Sequence, residues 1–251
     1  MKNITTVVLA AGKGTRLAGG APSPKPKVLY EIGGKAIILH TLEKLKKSGF
    51  GEIIIVVGHK AEDVKRVVGK GFVFATQEKR LGTGHAAKIG LSAASPDSEN
   101  IMVLNGDDSA FYKPETIKKI VDQHQIQENT ITFITLELED PGGLGRILRK
   151  NGKVMGIVEE KAATEEQKKI KEVNDGLYLF KRNWLDKYLP TIKKSAVGEY
   201  YLVDLIALAA NQGEKVEAYK LPDPAEWKGV NTPEELSQAD KLMKEYSKGS
   251  G

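Results

Sequence analysis

The sequence predicts an α/β fold with a doubly wound, mostly parallel sheet. Short apolar runs rich in β-branched residues alternate with segments whose apolar residues recur at helical spacing. The run at 53–57 is apolar at every position, which is typical of a strand covered on both faces. Strands that alternate with helices imply right-handed parallel crossovers. A glycine-rich loop follows the first strand, and ligands of such sheets bind at the carboxyl ends of the strands.

The first predicted strand covers residues 4–8 and leads into a loop that suits a phosphate group. Positions 9–17 read Leu-Ala-Ala-Gly-Lys-Gly-Thr-Arg-Leu. Gly12 and Gly14 permit backbone conformations closed to other residues and let a ligand approach the main chain. Arg16 can donate paired hydrogen bonds to phosphate oxygens. The loop matches neither the P-loop nor the dinucleotide fingerprint. Its glycines alone fit a triphosphate cradle and an ordinary turn equally well.

A stiff loop with two lysines comes next. Positions 23–29 read Ser-Pro-Lys-Pro-Lys-Val-Leu. Each proline fixes its own φ and pushes the preceding residue toward an extended conformation. A stiff loop can hold Lys27 against a phosphate at lower entropic cost than a flexible loop can.

Further along the chain, helices and strands continue to alternate. The predicted elements are a helix at 37–48, strands at 53–57, 72–75, 101–104 and 130–137, and helices at 61–68 and 114–127. The rule for parallel sheets then predicts that Gly12, Gln77 and Asp107 lie along one edge of a single crevice.

The segment after the 72–75 strand suits a nucleobase. Positions 77–86 read Gln-Glu-Lys-Arg-Leu-Gly-Thr-Gly-His-Ala. The amide of Gln77 can read a pyrimidine edge, and Gly82 would let a flat base come close. Thr83 is predicted to cap the helix that follows. A glycine turn with a capping residue would also explain Gly82 and Thr83, but it would not explain Gln77.

Acidic residues follow the 101–104 strand, where Asn-Gly-Asp-Asp occupies 105–108. A carboxylate at a strand end beside a triphosphate cradle is a natural Mg²⁺ ligand, because magnesium takes few carboxylates together with substrate oxygens. The residues alone also fit a turn with solvated aspartates.

The second half has shorter, turn-rich units. Gly152 and Lys153 separate two strand-like runs and predict a hairpin. The stretch Gly-Glu-Tyr-Tyr-Leu-Val-Asp at 198–204 is expected to open an amphipathic helix that ends near Gly213. Thr232 before Pro233 predicts the N-cap and first residue of a last helix.

The motifs Gly-x-Gly-Thr-Arg-Leu at 12–17 and Pro-Lys-Val-Leu at 26–29 resemble the signature of the sugar-1-phosphate nucleotidyltransferases. The resemblance extends from about Ile4 to about Leu236. It is closest to the branch of that family that transfers UMP from UTP to N-acetylglucosamine 1-phosphate and releases pyrophosphate. It implies a Rossmann-like sheet of the nucleotide-diphospho-sugar transferase type with a small β-rich sugar-binding lobe.

The resemblance also implies a domain organisation. Residues 1–251 would form a single nucleotidyltransferase domain, with a nucleotide-binding half at 1–137 and a sugar-binding half at 138–246. Bifunctional relatives carry a second, acetyl-transferring domain built from hexapeptide repeats. No such repeat appears in this sequence, so we expect the nucleotidyl step alone.

The resemblance assigns roles to individual residues, and we take each as an expectation. The expected catalytic residues are Arg16, Lys27 and Asp107. Mg²⁺ is the expected cofactor, held by Asp107 and Asn231. The expected nucleotide-binding residues are Leu9, Ala11, Gly12, Gly14, Gln77, Gly82 and Thr83. The expected sugar-binding residues are Gly145, Glu159, Asn174 and Tyr201. Without the resemblance, Glu159 would be interpreted as a solvated charge on a hairpin.

Several positions depart from the pattern of that branch. Asn105 stands where close relatives often have tyrosine, Asp175 and Val203 stand where threonine is usual, and Asp108 begins a stretch that replaces Val-Pro-Leu. These departures leave open the same chemistry on glucose 1-phosphate with UTP or dTTP. A catalytically silent nucleotide-sugar sensor is the second alternative.

Composition excludes several classes of protein. The chain has no cysteine, so it has neither disulfides nor a cysteine nucleophile, and its four histidines lack zinc-ligand spacing. A net charge of +5 suits anionic substrates, and the spread of the lysines argues against nucleic acid. The chain has no 18-residue apolar run, and its first three residues lead straight into a strand. We therefore expect no signal peptide, no membrane span and a cytoplasmic location.

Overall fold

The computed structural model describes residues 3–19 and 23–248, and a nine-stranded sheet forms its centre. The strands are β1 (Ile4–Ala10), β2 (Glu31–Ile32), β3 (Lys35–Ala36), β4 (Glu52–Val57), β5 (Val73–Thr76), β6 (Asn100–Asn105), β7 (Ile131–Glu137), β8 (Arg146–Lys150), β9 (Lys153–Val158), β10 (Glu172–Lys181) and β11 (Val216–Lys220). The helices are α1 (Ile37–Lys47), α2 (Ala61–Val68), α3 (Thr83–Ser92), α4 (Pro114–Ile126), α5 (Glu165–Lys168), α6 (Arg182–Tyr188), α7 (Asp204–Asn211) and α8 (Pro233–Lys248).

The sheet is mostly parallel, as the sequence predicts. Its strand order is β11-β7-β10-β6-β1-β4-β5. Parallel pairs join β1 to β4 and β6, β4 to β5, and β7 to β11. Strand β10 runs antiparallel to both of its neighbours, β6 and β7. The expectation of a doubly wound α/β fold is therefore confirmed.

The continuous apolar runs serve two separate cores, one on each face of the sheet. Val8 and Ile55 belong to one core, whereas Val7 and Val56, their neighbours in sequence, belong to the other. Side chains on α1, α2 and α4 pack into the first core, and side chains on α3, α6 and α7 pack into the second. Both faces are covered because successive residues of a strand point to opposite sides.

The second half of the chain shares its sheet with the first half. Strands β8 and β9 form the predicted hairpin, with Asn151 and Gly152 at its turn, and this hairpin branches from β10. Strand β10 lies inside the main sheet and carries a register shift between Asn174 and Tyr178. The irregularity brings residues of the second half beside the end of β6.

A third core lies under the loops at one end of the sheet. Its members are Leu17, Ile32, Ile37, Ala110, Phe111, Val230, Ala239 and Met243. Leu17 immediately follows Arg16, and Val230 immediately precedes Asn231. Burial of these two apolar neighbours anchors the polar residues beside them.

One local prediction is wrong and several elements escaped prediction. Thr83 does not cap α3, because Gly82 is the N-cap residue and no side chain bonds there. The sequence patterns did not indicate the β2–β3 hairpin, α5, α6 or β11. Among the residues that the structure describes, no helix is long and apolar enough to cross a membrane.

Candidate active site

Four polar side chains from distant parts of the chain meet at the carboxyl end of β1 and β6. The Lys27 ammonium forms an ion pair with Asp107 Oδ2 and donates to Asn231 Oδ1 at 2.9 Å. Arg16 Nη2 donates to the same Asn231 oxygen at 3.0 Å. The structure thus brings together all the residues for which a catalytic or metal role is expected.

The fold brings the glycine loop and the lysine loop into direct contact. Gly14 has a φ of +72°, and a Cβ there would lie 3.2 Å from Lys27 Cβ and 3.3 Å from Lys27 Cα. Glycine is therefore required at 14 both by backbone conformation and by packing. At Gly12, by contrast, a Cβ would meet no described atom within 4 Å. Protein packing therefore does not explain the glycine at 12, which is exposed on the surface of the loop.

Asn231 is held by the start of α8. Thr232 Oγ1 accepts from Glu235 N at 3.2 Å, and Glu235 Oε2 accepts from the backbone N–H groups of Asn231 and Thr232. This reciprocal pattern is a capping box, and it confirms the predicted cap at Thr232. The sequence patterns did not single out Glu235, although Thr-x-x-Glu before a helix is the signature of such a box. The Glu235 carboxylate orients the backbone that carries the Asn231 amide.

The oxygens at this point fit a hard divalent cation. Asp107 and Asn231 offer a carboxylate and an amide oxygen, and both already accept from one shared cation, the Lys27 ammonium. Magnesium binds through one or two protein oxygens and completes its shell with water and phosphate oxygens. Within the described part of the chain, no group of three or more His, Cys, Asp or Glu side chains forms a metal site, so a purely protein-built cage is not offered.

The backbone of Gln77 lies close to Ala11 at the start of the glycine loop. A Cβ at Gly58 would lie 2.9 Å from Ala11 Cβ and 3.2 Å from Gln77 O, so these three residues adjoin at the ends of β1, β4 and β5. Leu9, near the end of β1, is half-buried against the second core. The residues that follow β1, β4 and β5 therefore lie close together at one edge of the sheet, as the parallel-sheet rule predicts.

The reason for glycine at 82 differs from the one that the sequence suggested. A Cβ at Gly82 would lie 2.5 Å from Tyr200 O and 2.9 Å from Tyr200 N, and the residue has a φ of +93°. Thr83 Oγ1 accepts from Leu202 N at 3.0 Å instead of capping α3. Both residues join the 81–84 segment to the 200–202 segment, so packing and backbone bonding account for them.

Three of the four expected sugar-binding residues are neighbours. Asn174 N donates to Gly145 O at 2.9 Å, and a Cβ at Gly145 would lie 3.6 Å from Glu159 Oε1. Burial, and secondarily the Asp204 charge, raise the pKa of Glu159. Asn174 Nδ2 donates to Tyr178 at 2.7 Å, whereas Asn174 Oδ1 is buried with no partner among the described residues. A buried acceptor without a donor is costly unless a ligand satisfies it.

Tyr201 is less closely tied to this group. It is half-buried and packs against the second core, in the segment that bonds to the 81–84 loop. Its contacts with the second core do not place it against Gly145, Glu159 or Asn174, so its role stays an expectation. Val203 is buried in the same core and faces protein.

Three of the residues that depart from the family pattern, Asn105, Asp108 and Asp175, lie between Asp107 and Asn174. Asn105 Nδ2 donates to Asp108 Oδ2 at 3.1 Å, and Gly176 is so close that a Cβ there would lie 2.4 Å from Asn105 Nδ2. Burial and the neighbouring Asp107 charge raise the pKa of Asp108. Asp175 is buried and accepts from the Tyr112 hydroxyl and from Leu177 N. Asp175 therefore faces the interior.

We expect Asp175 to make stability fall as the pH rises. Burial raises the pKa of Asp175 from 3.8 to about 7, although hydrogen bonds from Tyr112 and Leu177 oppose the shift. The folded state therefore holds a proton that the unfolded state has lost. Its stabilising effect is complete below about pH 4 and is lost as the pH rises to about 7. The loss amounts to roughly 2–4 kcal/mol.

The variant Asp175→Asn tests this expectation by urea unfolding across that range of pH. Asparagine can accept from Leu177 N with its oxygen and donate to the Tyr112 hydroxyl oxygen with its nitrogen, as protonated Asp175 can, so the variant should gain stability relative to the wild-type protein as the pH rises. Asp122→Asn, at an exposed position of α4, is the matched control and should follow the wild-type curve. Parallel curves for Asp175→Asn and the wild-type protein would contradict the assignment.

The fold and the four converging side chains of Arg16, Lys27, Asp107 and Asn231 fit a known family of enzymes. Residues 5–245 match the nucleotidyl transferase family, and the chain belongs to that family. This membership confirms the resemblance inferred from the two motifs near the N-terminus.

Curated relatives of the chain carry the name bifunctional protein GlmU. The protein from Halalkalibacterium halodurans is 41% identical over 246 residues, which cover 97% of this chain and 53% of that protein. The protein from Caldicellulosiruptor saccharolyticus is 40% identical over 247 residues, with coverages of 97% and 52%. The chain thus spans about half the length of the curated relatives it matches.

A solved structure shares the fold. It comes from Bacillus anthracis and is assigned as a glucose-1-phosphate thymidylyltransferase. It matches with a TM-score of 0.80 and 23% sequence identity. The match covers 96% of this chain and 95% of the chain in that structure. At this level of identity the likeness concerns the fold alone.

Proposed function

We propose that this chain transfers UMP from UTP to N-acetylglucosamine 1-phosphate in a Mg²⁺-dependent reaction that yields UDP-N-acetylglucosamine and pyrophosphate. The observation that carries the proposal is the meeting of Arg16, Lys27, Asp107 and Asn231 at one point beside the glycine loop. The choice of substrates follows from the resemblance of the two motifs near the N-terminus, and relatives at about 40% identity match almost the whole chain.

The chemistry needs positioning and charge more than proton transfer. The phosphate oxygen of the sugar attacks the α-phosphorus of UTP, the new P–O bond forms, and the bond to the pyrophosphate breaks on the opposite side. The attacking oxygen is already an anion at neutral pH, so no general base is required. In such transfers, catalysis rests on alignment and on stabilisation of the charge that builds on the phosphates.

Arg16 and Lys27 are the cations for that task. Arg16 can donate two parallel bonds to phosphate oxygens, and Lys27 is a flexible point charge on the loop that touches Gly14. Gly12 leaves room for a phosphate against the backbone, because no packing contact fills the space of its missing side chain. Asp107 and Asn231 would hold the magnesium ion, which supplies charge neutralisation between the two phosphate groups when it is bound.

The two ends of the crevice would bind the two organic groups. Leu9, Ala11, Gln77 and the 82–83 segment would line the base and ribose end. Glu159 and Asn174 would bind the sugar, because their carboxylate and amide oxygens are acceptors, whereas the hydroxyl and amide N–H groups of the sugar are donors. We propose one catalytic domain, whose halves at 1–137 and 138–246 serve the nucleotide and the sugar.

A panel of sugar phosphates and nucleotides, scored by pyrophosphate release with and without Mg²⁺, tests the proposal. We expect release with N-acetylglucosamine 1-phosphate and UTP, and only when Mg²⁺ is present. Faster release with glucose 1-phosphate and UTP or dTTP would contradict the sugar or base assignment. Tight UTP binding without release from any pair would favour a nucleotide-sugar sensor instead.

A further inference from the structure

We propose that His85 is a positioning residue that orients the Gln77 amide, so that Gln77 Oε1 faces the nucleotide and selects bases that carry a ring N–H. The inference rests on the proposed function, because it concerns the base end of the same site. It adds a specificity role for a residue to which neither the sequence patterns nor the proposed mechanism gives one.

The orientation of the Gln77 amide follows from what its neighbours can accept. Gln77 Nε2 lies 3.2 Å from Gly82 O and 2.9 Å from His85 Nδ1. A backbone carbonyl can only accept, so the amide nitrogen must be the atom that faces Gly82. The same nitrogen then donates to His85 Nδ1. Because Nδ1 accepts, the proton of the neutral imidazole must sit on Nε2.

The acceptors that orient Gln77 are rigidly placed. His85 lies in the first turn of α3, directly after Gly84, whose N–H donates to Tyr200 O at 2.9 Å. The Gly82 carbonyl also accepts from Ala86 N at 3.1 Å, which holds it at the start of α3. Gln77 itself is buried, and its backbone N–H donates to Val57 O at 2.7 Å. A side chain held at this precision retains one amide orientation when the nucleotide arrives.

The orientation leaves an acceptor for the base. Among the described residues, no group donates to Gln77 Oε1, and that oxygen is not among the completely shielded polar atoms. Uracil and thymine carry an N–H between their two carbonyl groups, whereas cytosine carries an unprotonated ring nitrogen there. A uracil N–H can donate to Oε1. The ring nitrogen of cytosine is itself an acceptor, so it would face Oε1 with no proton between them. An unsatisfied acceptor of this kind weakens binding on the order of 10- to 100-fold.

Two substitutions of His85 separate orientation from packing. In His85→Asn, the amide oxygen stands close to the position of Nδ1 and can still accept from Gln77. In His85→Leu, Gly82 O is the one acceptor that remains for Gln77 Nε2, so the amide loses one of the two hydrogen bonds that fix its orientation. We would measure kcat/KM for UTP and for CTP with N-acetylglucosamine 1-phosphate, together with thermal unfolding of each variant. His85→Phe replaces His85→Leu if the latter does not fold.

We expect the UTP/CTP ratio of His85→Leu to fall about 2- to 10-fold, the contribution of one hydrogen bond, while His85→Asn keeps the wild-type ratio. If the role of His85 were purely structural, its loss would lower kcat/KM for both nucleotides by the same factor and leave the ratio unchanged. An unchanged ratio in His85→Leu, or an equal loss in His85→Asn, would overturn the proposal.

Calorimetric titration of the same proteins with UTP and CTP keeps this test separate from the proposed reaction. If the wild-type protein releases no pyrophosphate, the proposed function fails, but the ratio of the two dissociation constants still reports on His85. Loss of UTP preference in His85→Leu with retention in His85→Asn would support the role. Equal binding of UTP and CTP by the wild-type protein would overturn it.

Discussion

We expect Asp107→Ala to abolish measurable turnover while the protein keeps its fold. Asp107 is the one carboxylate that contacts Lys27 in the described site, and it is the anionic member of the oxygen pair that would hold Mg²⁺. Removing one preorganised electrostatic partner costs on the order of 10²–10³ in rate. Removing Asp107 should cost more, because both the cation site and the placement of Lys27 depend on it.

The measurement is pyrophosphate release from UTP and N-acetylglucosamine 1-phosphate at saturating Mg²⁺, with Mn²⁺ affinity and thermal unfolding as independent readouts. Asp107 sits in a turn after β6 and outside the three apolar cores, so we expect an almost unchanged unfolding temperature. Asp122→Ala, on the exposed face of α4, controls for loss of a carboxylate elsewhere. Normal turnover with normal Mn²⁺ affinity in Asp107→Ala would remove Asp107 from the site.

We expect Lys27→Met to lower kcat with UTP by a factor on the order of 10²–10³. Lys27 is the cation that bridges Asp107 and Asn231 from the stiff proline loop, and we assign it to the phosphates of the nucleotide. Methionine keeps the apolar stem that packs on Gly14 but loses the charge. Lys27 and a divalent metal compete for the same oxygens, so Mn²⁺ binding without nucleotide should become tighter even as turnover falls.

Lys25→Met is the matched control for that substitution. Lys25 lies in the same loop, two residues earlier, but its ammonium sits over the Tyr30 ring at 4.9 Å from the ring centre. A general effect of loop charge would appear in both variants, whereas a role at the phosphates would appear in Lys27→Met alone. Equal losses of turnover in the two variants would refute the assignment to Lys27.

Local signals predicted most of the regular structure. Helix α2 has the predicted bounds, and α1, α4, β4 and β6 differ from prediction by one or two residues at their ends. Such elements can be predicted because the spacing of their apolar residues and the residues that start and stop them all lie within about a dozen positions. The cap at Thr232 was predicted for the same reason. The β8–β9 hairpin likewise depends on a turn and two adjacent strands.

Several side chains have partners that local signals do not reveal, and only one of them, the Thr83 cap, was predicted wrongly. Thr83 reads as a cap in sequence, but its hydroxyl bonds to Leu202 N, more than a hundred residues away. Gly82 suits an approaching base by composition, yet the Tyr200 backbone is what requires it. Asp175 stands beside an expected sugar ligand and nevertheless points at Tyr112 in the interior. In each case, a partner far along the chain decides what the side chain does.

The sequence by itself determined the alternation of strands and helices, the glycine and lysine loops, and the family to which the chain belongs. Only the tertiary structure decided that Lys27, Asp107 and Asn231 share one point, that β10 enters the sheet antiparallel between β6 and β7, and that Gln77 is oriented by His85. The physical reason is the separation in sequence between the residues that interact. Periodicity and capping act between near neighbours, whereas strand pairing and ion contacts join segments whose meeting depends on how the whole core packs.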